Sequence, residues 1–297
     1  MRVDTTGKIS LDHIYTQPDP RAYFGTLRGL GYAIPQLAKP YFLRLIQEYK
    51  DATGIPDPTV LDIGCSYGIN AALLKCDTTM DELYERYTGP GAAERSRDDL
   101  LERDRDLVRA RDRSKGAAKN VRFLGLDSSE NALAYAREAG FLDGTVHADL
   151  ERGDPTGPQR ELLAEADLVV STGCLGYITE KTIARVVAVQ KGNKPWMAHF
   201  VLRMFPFAPV AETLDAAGYE TVRAGGMFKQ RRFATAEEQA QVMDRLAAVG
   251  VDTGGAESDG WLLARLHISR PRATNERVIM DLAAVETVRT EDRRIEQ

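Results

Sequence analysis

Asp62, Asp127 and Asp149 each stand at the end of a short apolar run, just before a turn. Carboxylates in such places can accept hydrogen bonds from the hydroxyls and amines of a ligand. The first belongs to residues 59–68, TVLDIGCSYG. There the apolar run breaks into a turn whose Gly64 and Gly68 let the backbone approach a ligand closely. A helix-like segment, 69–74, follows at once, and the N–H groups of its first turn attract a carboxylate or phosphate. A βα turn that needs glycine only for its own dihedrals would look similar; the later carboxylates favour a binding site. Asp127 suits the two hydroxyls of a ribose, since an ionised acid can accept from both. Its plainer use is to cap the helix that Ser128 and Ser129 announce. Asp149 is placed to accept from an exocyclic amine. Ser171, Thr172 and Gly173 close a fourth apolar run.

The elements that hold these residues alternate. Strands are expected at 59–63, 121–126, 145–147, 166–170, 196–204, 219–222 and 261–268, with helices at 69–74, 130–139, 179–190, 210–217 and 235–249. The expected fold is α/β: a doubly wound, mostly parallel Rossmann-like sheet with an antiparallel C-terminal strand. Ligands of such sheets bind outside the C-terminal strand ends, where the strand order reverses. The strand at 261–268 alternates apolar and polar residues, as an edge or antiparallel strand would.

Around this core three additions are expected. Residues 1–58 read as a helical N-terminal cap, with helices at 21–30 and 40–53. Residues 59–271 form the binding domain, interrupted by a helical insertion at 77–120. Residues 272–297 have little apolar content and read as a tail. In the insertion, Ser96 and Asp99 fit a capping box. The pairs Leu100-Leu101 and Leu107-Val108 make one narrow apolar stripe in a helix whose charges are nearly balanced. Such a stripe must lie on something, either its own domain or a partner subunit, which leaves a homodimer open.

Composition narrows the function classes. With 297 residues, 43% hydrophobic and 28% charged, the chain suits a globular protein with one large core. No apolar run is long enough to span a bilayer, and the first residues lack the apolar region of a secretion signal. Cys65, Cys76 and Cys174 have no metal-ligand spacing and leave one thiol over if paired, as expected in a reducing, cytoplasmic compartment. A net charge of −5 argues against a nucleic-acid partner.

As a set, these motifs resemble the class I S-adenosylmethionine (SAM)-dependent methyltransferases. VLDIGCSYG resembles the family's first motif, LGLDSSENALAYAREA its second strand and helix, HADLE its adenine-side motif, and DLVVSTGCLGYITE its fourth-strand motif. The resemblance implies SAM as cofactor; with the acidic charge balance, the expected substrate is a small molecule, as in specialised metabolism. Asp62, Gly64 and Gly68 would hold the methionine end, with Ser66 in place of the family's middle glycine. Asp127, with Ser128, would bind the ribose hydroxyls, and Asp149 with the backbone of Leu150 the adenine. Ser171, Thr172 and Gly173 would line the pocket near the sulfonium. Tyr177 is the foremost candidate for lining the reacting centre, with Tyr15 and Tyr23 from the cap behind it and His13 as a base. His199 and His267 fall inside apolar strands and read as structural.

The chain departs from the family at Ser66 and in the 59 residues from Gly68 to Asp127, against about 20 in a simple nucleotide-binding unit. It also lacks the Asn/Asp-Pro-Pro-Tyr motif of enzymes that methylate nucleic-acid amines. Two alternatives therefore stand beside methyl transfer. One is a SAM-consuming enzyme that breaks the aminocarboxypropyl bond, by transfer or by ring closure to azetidine-2-carboxylate. The other is a non-catalytic SAM-binding scaffold that uses the insertion as a dock.

Overall fold

The structure, a computed structural model, describes residues 11–110, 116–192, 194–253 and 257–272. The expected tail beyond Arg272 lies outside the described residues.

The short α1 (Asp12–Tyr15) and α2 (Arg21–Gly29) precede the long α3 (Ile34–Thr53). β1 (Thr59–Ile63) leads into α4 (Ile69–Lys75), then α5 (Met80–Thr88) and α6 (Arg97–Ala110). The α/β rhythm continues with β2 (Arg122–Asp127), α7 (Glu130–Glu138), β3 (Gly144–His147), α8 (Gly157–Leu163), β4 (Leu168–Thr172), α9 (Glu180–Ala188) and β5 (Trp196–Leu202). It ends with α10 (Ala208–Ala216), β6 (Tyr219–Arg223), β7 (Phe228–Arg232), α11 (Ala236–Ala248) and β8 (Trp261–Pro271).

One sheet runs β3-β2-β1-β4-β5-β8-β6, with β7 also paired to β8. The first five strands are parallel; β8, β6 and β7 join antiparallel. The chain order therefore reverses between β1 and β4, and the strand ends on either side of that point open a crevice. Every residue of β1 and of β5 is buried, which is why both read as continuous apolar runs rather than alternating ones.

Of the two readings of the last strand, antiparallel is the one observed: β8 is interior rather than an edge, pairing antiparallel with β5 on one side and with β6 and β7 on the other. α3 starts at Ile34 rather than at residue 40, with a proline in its first turn and Pro40 accommodated inside. The polar stretch Phe228–Arg232 is a strand and Gly157–Leu163 a helix, neither of them expected, while Met80–Thr88 is a helix within the expected helical insertion.

The insertion's stripe lies on its own domain. Leu100, Leu101, Leu107 and Val108 join a second core with Tyr23, Phe24 and Leu27 of the cap and Ala132 and Tyr135 of α7. Ser96 and Asp99 form the expected box, with Asp99 N–H donating to Ser96 Oγ and Ser96 N–H to Asp99 Oδ2, both at 3.1 Å. Asp104, fully buried on this helix, accepts from the Tyr87 and Tyr135 hydroxyls, each at 2.6 Å. Among the described residues no helix is long and apolar enough to cross a membrane.

Candidate functional site

The turn after β1 sits in left-handed backbone at three points: Gly64 (φ +68°), Ser66 (φ +49°) and Gly68 (φ +74°). A Cβ on Gly64 would lie 2.6 Å from the Cys174 Cβ, so glycine there admits the loop that follows β4. Gly68 begins α4 and packs against α7, where a Cβ would fall 3.1 Å from that of Ala136. Ser66 adopts a conformation costly to a residue with a side chain. Its hydroxyl is buried and has no hydrogen-bond partner.

Asp127 ties this turn to the next strand. Its Oδ2 accepts the Ser66 N–H at 2.8 Å, and its Oδ1 the Ser129 N–H at 2.9 Å. Burial raises its pKa above the usual carboxylate range, against the lowering effect of these N–H groups. Each oxygen retains a lone pair for a ligand. Of the two uses expected of Asp127, the structure shows the one at the start of α7; the residue also lines the crevice. Ser129 caps α7 by accepting the Ala132 N–H.

Two adjoining cavities open along the strand ends. One, of about 390 Å³, is bordered by Asp149, Leu150, Glu151 and Arg152 after β3, and by Ile178 and Thr182. The other, of about 360 Å³, is bordered by Ser66, Thr172 and Gly173, by Tyr15, Thr16 and Tyr32 of the cap, and by Gln230 and Arg231 of β7. Gly64, Asp127, Ser128, Cys174 and Tyr177 line both. Asp127 therefore stands at the junction of a two-part cleft.

The remaining expected residues fall into two groups. Tyr177 is 46% exposed at the rim of both cavities. Asp149 accepts the Glu151 N–H and pairs with Arg152 at 3.3 Å. The backbone carbonyl of Leu150 accepts from Arg185 Nη1 at 2.7 Å. By contrast, Asp62, Gly68, Ser171, Tyr23 and His13 border neither cavity. Asp62 is buried beneath the turn and receives Asn70 Nδ2 at 3.1 and 3.2 Å. Burial pushes its carboxyl up to about 7. The same Asn70 Nδ2 reaches Thr172 Oγ1 at 3.1 Å, which links Asp62 to the cavity wall. Ser171 is buried with its hydroxyl 2.8 Å from His199 Nδ1. Tyr23 lies behind the wall, edge-on to Tyr15, Tyr32 and Tyr67. His13 is exposed on α1.

The sequence alone does not single out several wall residues, although Glu151 and Cys174 lie within the motifs HADLE and DLVVSTGCLGYITE. Glu151, the last residue of HADLE, receives the N–H and hydroxyl groups of both Thr179 and Thr182 and so pins α9 to the end of β3. Cys174 donates to the Ile63 carbonyl, and burial pushes its thiol up to about 12. Gln230 and Arg231 come from the unexpected strand β7, which binds the cap: Ala33 N–H donates to the Gln230 carbonyl at 2.9 Å, and Arg232 N–H to Leu30 at 2.7 Å.

No protein-family model and no curated protein sequence matches the chain. Solved structures of methyltransferases are similar to it. The plantazolicin methyltransferase BpumL, in complex with SAH, is 10% identical with a TM-score of 0.43, over 88% of this chain and 93% of that one. Precorrin-6y C5,15-methyltransferase from Geobacter metallireducens GS-15 is 13% identical with a TM-score of 0.37, over 76% and 86%. Magnesium protoporphyrin IX methyltransferase from Synechocystis PCC 6803, with bound SAM, is 12% identical with a TM-score of 0.35, over 77% and 78%. At these identities the likeness is one of fold. The fold of this chain is Rossmann-like, a mostly parallel sheet closed by antiparallel C-terminal strands.

Proposed function

We propose that the chain is a SAM-dependent methyltransferase acting on a small molecule. The observation that carries this reading is the two-part cleft at the strand-order reversal, with Asp127 at its junction. The residues present suit the cofactor. Asp149 and Leu150 border the half that would take the adenine, and Asp127 keeps lone pairs for the ribose hydroxyls. Ser66, Thr172 and Gly173 border the half that would take the methionine arm and the acceptor.

SAM, when bound, supplies an electrophilic methyl group on a sulfonium sulfur. The chain's own part is to bind, align and exclude water. Tyr15, Tyr32 and Tyr177 line the second cavity with aromatic rings, which tolerate a nearby cation through their negative faces. A binding domain at 59–271, a cap at 1–58 and an insertion at 77–120 remain our division of the chain.

A second reading keeps SAM but breaks the aminocarboxypropyl bond, by transfer or by closure to a small ring. What supports it is the cap: Leu11, Tyr15, Leu27 and Tyr32 close over the second cavity, leaving about 360 Å³ for the arm and any acceptor together. Incubation with SAM, alone and with candidate acceptors, tests both through the nucleoside released. SAH is expected from methyl transfer; methylthioadenosine would replace the first reading with the second. SAM left intact under every condition, with SAH bound, would favour a non-catalytic SAM-binding protein.

A further inference from the structure

Gln230 is only 4% exposed, yet its Oε1 has no hydrogen-bond partner. Buried amide oxygens are almost always satisfied, and one left unpaired in a residue that lines a cavity marks a place where a ligand can complete the bonding. The wall in question is the second cavity, which Gln230 shares with Ser66, Thr172 and Gly173. Two features hold the amide there. Gly173 has no side chain, and a Cβ on it would fall 2.2 Å from Gln230 Nε2. The Gln230 carbonyl itself accepts the Ala33 N–H, and the Arg232 N–H donates to the Leu30 carbonyl, so this stretch of β7 is fastened to the cap.

The charges nearby suit a cation. Arg231, the next residue along β7, is neutralised by Glu238, which receives its Nη1 at 3.0 Å and its Nη2 at 2.6 Å. Asp127 lines the same cavity. An acceptor-only oxygen in a residue that lines the same cavity as a carboxylate suits an ammonium group, and the unpartnered Ser66 hydroxyl can donate to a carboxylate.

We infer that Gln230 receives the α-ammonium of the cofactor's amino-acid arm, with the Ser66 hydroxyl on its carboxylate. This rests on the SAM reading above. It gives the arm a ligand from the C-terminal strands rather than from the glycine turn alone.

The test compares two nucleosides by calorimetry: SAH, which has the arm, and 5′-methylthioadenosine, which lacks it. Gln230→Leu is expected to weaken SAH about tenfold or more, since the bond lost is to a charged group, and to leave methylthioadenosine unchanged. Gln230→Glu keeps an acceptor and is expected to retain SAH; a loss there would mean that the amide faces the carboxylate, and would overturn the ammonium assignment. Thermal melts of both variants establish that they fold. If wild type binds both nucleosides and Gln230→Leu weakens neither, or both equally, this inference fails while the SAM reading stands. If wild type binds neither, both fail.

Discussion

The Ser66 N–H donates to Asp127 Oδ2 at 2.8 Å, fastening the turn after β1 to the end of β2. To make this bond Ser66 takes φ +49° and buries a hydroxyl with no partner. Glycine would hold the same backbone without strain and without the stranded hydroxyl. Ser66→Gly is therefore expected to stabilise the fold by about 1 kcal/mol and at the same time to weaken SAH. Thermal denaturation and calorimetry on the same variant check this; a less stable protein would contradict the strain argument.

Gly64 and Gly173 both have positive φ, but alanine should act differently at each. At Gly64 the new Cβ meets the Cys174 Cβ at 2.6 Å, and neither the turn nor the loop can yield cheaply. A loss of about 1–3 kcal/mol is expected. At Gly173 the obstacle is the end of the flexible Gln230 side chain, 2.2 Å away, so that side chain should swing aside. Gly173→Ala is expected to cost proportionally more SAH affinity than stability. Denaturant melts beside SAH titrations separate the two cases, and identical profiles would refute the distinction.

Glu238 accepts from Arg231 and from the Ala234 N–H, in full burial. Glu238→Ala strands a buried guanidinium and should lower stability by about 3–5 kcal/mol. Urea unfolding measures it; a loss below about 1 kcal/mol would mean that water reaches Arg231 in the variant and that the pair does not anchor β7.

Two buried groups give stability opposite dependences on pH. Burial depresses His199 from 6.5 to about 3. Between those values the unfolded chain binds more protons, so stability falls as the pH drops through that window. Burial raises Asp62 from 3.8 to about 7. There the folded chain binds more protons, and the contribution is lost as the pH rises from 3.8 to about 7. Asp62→Asn should therefore steepen the loss of stability on acidification, by at most about 1.4 kcal/mol per pH unit. His199→Gln should flatten it. Urea midpoints between pH 7 and pH 5 provide the check, and slopes unmoved by either substitution would contradict the burial argument.

The parallel half of the fold is legible because its strands are continuous apolar runs ended by glycine, aspartate or serine. Asp127 and Asp149 could be assigned to the strand-end rim for that reason. β7 could not be read: Phe228-Lys229-Gln230-Arg231-Arg232 has one apolar residue. It becomes a strand because Arg231 finds Glu238, while Lys229 and Arg232 pack on the Trp261 ring at 5.0 and 4.5 Å. Trp261 lies about thirty residues along the chain and Glu238 on the following helix, so the strand's own alternation records neither. Nor could spacing tell which cap tyrosine reaches the cavity. Tyr15 and Tyr32 do, with Tyr23 packed behind both.

The most direct measurement is calorimetric titration of SAH into the wild-type chain and into Asp127→Ala. Saturable one-site binding is predicted for the wild type, with a loss of about tenfold or more in the variant as the ribose hydroxyls lose an ionised acceptor. No binding to the wild type, or equal binding to both, would contradict a nucleoside cleft centred on Asp127.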